Sequence, residues 1–338
     1  MRNQGVEQIE QSQESPLELI SSMFASDMSE VDRLILENMQ SDVAVIPKLA
    51  QYIISAGGKR IRPLLTLAST SMFNGDMSKS HNLAAAVEFI HTATLLHDDV
   101  VDESNERRGQ KTANLIFGNQ ASVLVGDFLF SKSFQMMVKS GSLEILSILS
   151  NASAVIAQGE VLQLSATNDI NTKMPLYLDI IESKTAALFA ASCEVGAVIS
   201  NQDKATVTAM RNYGAKLGAA FQIIDDALDY AADQKALGKD LGDDFREGKI
   251  TAPIIFALEN ATKEEYEFWQ RTLGYKDQKD GDFARAMEII TAHNALNKTI
   301  ELAKTYANDA SKSLKIIDNS DVKHLLCGLT SYIITRSF

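Results

Sequence analysis

Twice in this chain an apolar run with helical spacing ends in aspartates at i, i+1 and i+4. The first block reads Leu95-Leu96-His97-Asp98-Asp99-Val100-Val101-Asp102, the second Phe221-Gln222-Ile223-Ile224-Asp225-Asp226-Ala227-Leu228-Asp229. A helix turns about 100° per residue, so the outer aspartates of each block project from one face, a turn apart. Three carboxylates packed against an apolar run cost free energy unless something positive sits among them. Hard divalent cations take oxygen ligands, and Mg2+ is often held by one or two carboxylates together with substrate phosphates. Basic residues trail both blocks: Arg107 and Arg108 after the first, Lys239 and Lys249 after the second. One acidic helix end reads as a solvated face. Two, each followed by cations, point to metal ions and a polyphosphate held between helices.

The rest of the chain says what carries those helices. Only 5 prolines interrupt 338 residues, and apolar residues recur at three- and four-residue spacing. No stretch combines β-branched alternation with paired turn signals. The spacing predicts an all-α fold, a bundle of long helices around a central space, with short loops at 55–59, 74–79, 139–142, 168–174 and 200–204. Leu34, Leu36, Met39 and Val43 mark one helical face, in a helix expected to end near Pro47. Residues 1–14 are polar and read as a flexible tail. No low-complexity linker divides 15–338, which is expected to form a single domain. Its last part, 284–338, repeats an amphipathic pattern suited to packing.

A formal net charge of −12 argues against a nucleic-acid partner, which would want a basic surface. It also makes each basic cluster conspicuous. Cys193 and Cys327 lie far apart without metal-ligand spacing and read as buried reduced thiols, as expected in the cytoplasm. The N-terminus lacks the features of a signal or transit peptide. No apolar run approaches the roughly 18 residues needed to span a bilayer, so the expectation is a cytoplasmic protein with no transmembrane segment.

Other chemistry is scattered between the blocks. In Ala56-Gly57-Gly58-Lys59-Arg60-Ile61-Arg62-Pro63 the glycines allow close approach or positive φ, and three cations follow; polyanion binding and a solvated helix start both fit. His91 lies seven residues before Asp98, roughly on the same face, as a ligand contact or a packed core residue. Gly126 suggests close helix packing, and Asp127 is a candidate buried carboxylate. Gln158 and Gln163 bracket an apolar face, as ligand contacts or ordinary polar positions. Lys184-Thr185 at the head of an apolar helix suits a phosphate, and is equally an ordinary helix start.

Taken in order, GGKRIRP, the block from Asp98 to Gly109, the Lys-Thr pair, FQIIDDALD and the Gly238–Pro253 segment resemble the trans-prenyl diphosphate synthases. The match runs over nearly the whole chain after the tail. The resemblance implies the isoprenoid-synthase bundle around a deep cavity, usually as a homodimer. It implies that Asp98, Asp102 and Asp225 hold about three Mg2+ ions on an allylic diphosphate, supported by Asp99, Asp226 and Asp229. Arg107, Lys184, Thr185, Gln222, Lys239 and Lys249 would contact the same diphosphate. Lys59, Arg62, His91 and Arg108 would hold isopentenyl diphosphate, while Arg60 matches no ligand position. Of these, Asp98, Asp102, Arg107, Lys184, Asp225 and Lys239 carry the ionisation step.

The product would grow down the cavity beside the first aspartate helix, past Thr94 and Ala93. In short-chain members these places tend to carry aromatic rings. Small residues there, with Val87 and Ala86 below, predict a long product, roughly C40 to C50, built in a cavity between helices as a quinone side-chain precursor. A floor would come from Phe128, Phe130, Phe134, Met136 or Met137. The alternatives are a medium-chain synthase (C15–C20) and a non-catalytic subunit of a heteromeric synthase, which tends to lose one aspartate motif. A terpene cyclase would replace DDALD with an Asn/Ser/Glu metal motif. A carboxylate di-metal bundle would need two Glu-x-x-His pairs, and the chain has one, Glu88 with His91.

Overall fold

The computed structural model describes residues 14–55, 57–107, 109–231 and 241–335. Helices α1 (Pro16–Met23) and α2 (Ala25–Asn38) lead into α3 (Val45–Ser55), α4 (Ile61–Met72) and α5 (Met77–Val101). A two-residue antiparallel pair, β1 (Glu106–Arg107) and β2 (Gln110–Lys111), turns the chain into α6 (Ala113–Phe117), α7 (Asn119–Lys139) and α8 (Leu143–Ala166). Next come α9 (Met174–Ile181), a π turn over Glu182–Ala186 and α10 (Ala187–Ile199), which run on without a break, then α11 (Lys204–Leu228). After the second aspartate block follow α12 (Asp243–Glu247), α13 (Ala252–Leu258), α14 (Lys263–Trp269), α15 (Asp282–Ala292), α16 (Ala295–Ser313) and α17 (Asp321–Thr335). The fold is all-α.

Side-chain caps set where the long helices begin. Asp76 accepts from the N–H groups of Ser78 and Lys79 at the start of α5, Ser142 from Ile145 in α8, and Asp203 from Thr206 in α11. Each satisfies amides that have no partner inside the helix. The expected loops fall between these helices, to within three residues.

The centre is built from α4, α5, α10 and α11. From Leu188 to Ala197 every residue except Glu194 is buried, as expected of a core helix that is apolar on nearly all sides. α10 packs along α4 and α11, α5 along α7, and α11 along α16. One hydrophobic core cluster extends from Leu17 to Ile334. This arrangement brings the C-terminal ends of α5 and α11, with their aspartates, to the same end of the bundle as the π turn.

Four expectations need correction. Pro47 lies in the first turn of α3 instead of ending a helix, a position where its missing N–H costs nothing. The buried face of α2 is Val31, Ile35 and Met39, while Leu36 and Val43 are exposed. The Asp127 carboxylate is 63% exposed, near His97. Finally, α8 is long and apolar enough to cross a membrane by length and composition, because Ser, Asn and Gln interrupt its apolar residues without making it polar. Cys193 is buried and Cys327 half-buried, both as free thiols.

Candidate functional site

Each aspartate of the first block meets its own cation. The Asp98 carboxylate lies 3.5 Å from Lys184 Nζ. Asp99, only 4% exposed, accepts from Arg107 Nε and Nη2 at 2.9 and 2.7 Å. Asp102 accepts from Lys249 Nζ at 3.0 Å. These three cations come from the π turn, the β-hairpin and the segment before α13. The hairpin is held near α5 through the helix that follows it, α6, whose Asn114 Nδ2 donates to the Asp99 carbonyl at 3.2 Å. It is fixed to α3 by the Tyr52 hydroxyl, which donates to the Lys111 carbonyl.

The Lys184-Thr185 pair does not head a helix. It sits inside the π turn, a local widening often found at functional sites. Two glycines let neighbours approach it: a Cβ at Gly159 of α8 would lie 2.8 Å from the Lys184 backbone nitrogen, and one at Gly218 of α11 2.8 Å from Ala186 Cα. Close beside Gly159 is Glu160, a residue the sequence reading missed, 2.7 Å from Lys184 Nζ. Burial pushes the Glu160 carboxyl up to about 7 against the pull of Lys184. Burial also raises Asp98, which Lys184 moderates. Lys184 stays above its ordinary range because Asp98 and Glu160 outweigh its own desolvation. Lys249 is likewise held high by Asp244, Asp102 and Glu247 in spite of burial.

The second block is wired differently. Thr185 Oγ1 donates to Gln222 Oε1 at 2.8 Å, and Gln222 Nε2 donates to Asp226 Oδ1 at 2.8 Å. The buried Tyr177 hydroxyl donates to Asp226 Oδ2 at 2.6 Å. Burial raises Asp226 to about 6, although both hydrogen bonds favour its charged form. Asp229 accepts from the N–H groups of Asp243 and Asp244, at 3.2 and 3.0 Å, and so anchors the start of α12. Asp225 is half-buried. Burial, with Asp226 and Asp229 nearby, lifts Asp244 well above the usual carboxylate range.

A third cluster lies around α4. Gly57 (φ 67°) and Arg60 (φ 48°) adopt the left-handed region, as the glycine pair suggested. Arg62 Nη1 lies 3.1 Å from His91 Nε2, and its guanidinium stacks 4.6 Å above the Phe189 ring. Lys59 is exposed. Arg60 instead forms ion pairs with Glu88 (2.9 Å) and Asp32 (3.5 Å). Arg108 and Lys239 lie outside the described residues.

Below this, Ala93 is fully buried, with Ala86 and Val87, and the Thr94 hydroxyl returns to the His91 carbonyl at 2.7 Å. Met136 and Met137 of α7 are buried, whereas Phe134 is 40% exposed. Gly126 does serve close packing, since a Cβ there would sit 2.2 Å from His97 Nε2. Gln158 is exposed. Gln163 lines a cavity shared with Tyr177, Lys184, Thr185, Gln222, Asp226, Asp244 and Lys249. Its Oε1 is buried and makes no hydrogen bond among the described residues. Because Lys184 and Lys249 line that cavity and also pair with Asp98 and Asp102, the two blocks flank one space.

The donors around this space are carboxylate oxygens, which suit a hard divalent cation. Among the described residues no three His, Cys, Asp or Glu side chains form a closed metal site. Such a set fits a cation whose remaining ligands come from substrate phosphates.

A model of the family described as polyprenyl synthetase matches residues 43–290. The octaprenyl diphosphate synthase of Escherichia coli (strain K12) is 42% identical over 322 residues, covering 95% of this chain and 99% of that one. Two solved structures are similar throughout. A polyprenyl synthase from Caulobacter crescentus, complexed with calcium and isoprenyl diphosphate, has a TM-score of 0.92 at 49% identity, covering 95% of this chain and 98% of its own. A decaprenyl diphosphate synthase from Rhodobacter capsulatus has a TM-score of 0.90 at 46% identity, covering 96% and 100%.

Proposed function

Because the chain belongs to the polyprenyl synthetase family, we propose that it is a long-chain trans-polyprenyl diphosphate synthase. It adds isopentenyl diphosphate units head-to-tail to an allylic diphosphate. The observation that carries this reading is the set of pairs Asp98–Lys184, Asp99–Arg107 and Asp102–Lys249. A metal diphosphate can replace such pairs partner for partner, carboxylates going to metal and cations to phosphate.

Mg2+ held by Asp98, Asp102 and Asp225 would supply Lewis-acid neutralisation of the departing diphosphate. Lys184, Arg107, Lys239 and Lys249 add fixed positive charge where the C–O bond ionises, and Thr185 and Gln222 add hydrogen bonds. Lys59, Arg62, His91 and Arg108 hold isopentenyl diphosphate so that its double bond attacks the allylic cation. The apolar wall at Ala93, beside Thr94, keeps water from that cation. The proton lost in the last step goes to the released diphosphate, and no side chain acts as a nucleophile.

Small residues at Ala93 and Thr94, and octaprenyl and decaprenyl synthases among the relatives, support a product of roughly C40 to C50, grown in a cavity between helices. We place the enzyme in the cytoplasm, as one domain, making a quinone side-chain precursor. Val123, Leu124 and Val138 on α7 and Leu143, Val161 and Leu164 on α8 are exposed, and large apolar side chains left exposed on two packed helices support a homodimer.

Incubation with labelled isopentenyl diphosphate, Mg2+ and a C15 allylic starter, followed by chromatography, tests the reading. Absence of any product would overturn the activity, and an end point at C15 or C20 would overturn the length. Ala93→Phe should shorten the product sharply. Unchanged length would mean that the tunnel runs elsewhere.

A further inference from the structure

Tyr177 has no part in the chemistry above, yet its placement is specific. It is 3% exposed, on α9, two turns before Lys184. It lines the cavity together with Lys184, Thr185, Gln222 and Asp226. Its one polar atom is spent on Asp226 Oδ2, at 2.6 Å. The other oxygen, Oδ1, takes Gln222 Nε2, and the Gln222 amide is oriented by the Thr185 hydroxyl. A chain of three hydrogen bonds therefore runs from the π turn through Gln222 and Asp226 to α9. Its polarity is fixed throughout, because Thr185 and Tyr177 can give a proton and the carboxylate can only accept.

Such a chain sets where Asp226 points. The carboxylate sits between Asp225 and Asp229 in sequence, is buried, and gains both of its hydrogen bonds from neutral donors. Without the phenol, Oδ2 would lose its one hydrogen-bond donor among the described residues, and a buried charged oxygen seeks another. Rotation of Asp226 would disturb Gln222 and Thr185 through the same chain. Both of these are placed on the allylic diphosphate in the proposed function.

We propose that Tyr177 is a positioning residue for metal-diphosphate binding at the second aspartate block, acting through Asp226 and the Gln222–Thr185 chain. The inference rests on the synthase reading. It does not extend to isopentenyl diphosphate, because Arg62 and His91 lie on α4 and α5 and face each other at 3.1 Å.

The test is Tyr177→Phe, which removes one oxygen and keeps the ring. In steady-state assays the Mg2+ concentration for half-maximal rate and the allylic KM should both rise about tenfold, the worth of one hydrogen bond to a charged group. The KM for isopentenyl diphosphate should stay within about twofold of wild type, which a general loss of structure would not allow. Calorimetric titration of inorganic diphosphate with Mg2+ present should show a matching loss of affinity, independent of turnover. If wild type is active and the variant keeps its Mg2+ requirement and diphosphate affinity, the positioning role is overturned. A parallel rise in both KM values overturns it too, in favour of a structural role. A wild type without activity overturns the synthase reading instead. Should Tyr177→Phe fail to fold, Thr185→Val breaks the chain at its other end, and an unchanged Mg2+ requirement there is equally fatal.

Discussion

Asp98, Asp99 and Asp102 lean on two ammonium groups and a guanidinium, whereas Asp226 and Asp229 lean on a phenol, an amide and two backbone N–H groups. Within two blocks of the same spacing, the first block and the pair Asp226 and Asp229 of the second are thus held by different means. Charged partners are exchangeable: a lysine can leave a carboxylate for a phosphate if a cation takes its place. Removing only one side would strand a buried charge, which is strongly unfavourable. The first block therefore suits joint arrival of metal and diphosphate. Neutral donors gain less from a phosphate, so the second block keeps its shape whether or not a ligand is present.

Direct substitution gives the largest contrast. Asp98→Asn should lower kcat about a thousandfold, as expected for loss of a group stabilising transition-state charge. Asp229→Asn should cost less, about tenfold to a hundredfold, because one of its acceptors for the α12 amides remains. Steady-state kinetics on both variants decides the matter, and equal losses would erase the distinction.

A smaller effect tests whether the cations of the first block compete with metal. Lys249→Gln should raise the allylic KM about tenfold through loss of a charge-assisted contact. In the absence of diphosphate the same variant should bind Mg2+ more tightly than wild type, because Asp102 has lost its ammonium partner. Unchanged Mg2+ affinity by calorimetry would show that the pair does not compete.

The smallest effect is on stability. Burial raises Glu160 to about 7 and Asp226 to about 6, from 4.5 and 3.8. Between the lower and upper values the folded protein binds more protons than the unfolded chain, so unfolding free energy falls as pH rises through that window. Without ligands, the melting temperature should be higher at about pH 6 than at about pH 7.5, by roughly a degree or two. Glu160→Gln should flatten the slope, and a thermal melt with the same slope would discount Glu160.

The aspartates at the ends of α5 and α11, most of the loops and the Gly57 turn were legible because they depend on local spacing and residue type. Asp99 with Arg107 could be suspected, eight residues apart. Asp102 with Lys249 could not, since 147 residues separate them and only packing joins them. Glu160 looked like any helical glutamate until Gly159 let the π turn descend on it. Tyr177 did carry a signal: it stands seven residues before Lys184, the spacing that relates His91 to Asp98. Pro47 misled because a proline marks either end of a helix until the neighbouring caps are known.

The π turn at Glu182–Ala186 has a consequence for how the chain tolerates insertion and deletion. Helix direction continues through it from Met174 to Ile199, but the wider turn holds more residues than an α turn. It acts as a phase slip between two faces: upstream, Tyr177 turned toward Asp226; downstream, Leu188 to Ala197 sunk in the core. Loss of a single residue here would relax the bulge into ordinary helix, with nothing unfolded and little apolar surface exposed. Both faces would keep their register, because the five residues of the wide turn and four residues of ordinary helix advance the chain by about the same angle; what would be lost is the placement of Lys184 and Thr185. Loops such as 200–203 absorb a change in length without consequence; this apparently regular segment absorbs one only by giving up the turn that carries Lys184 and Thr185.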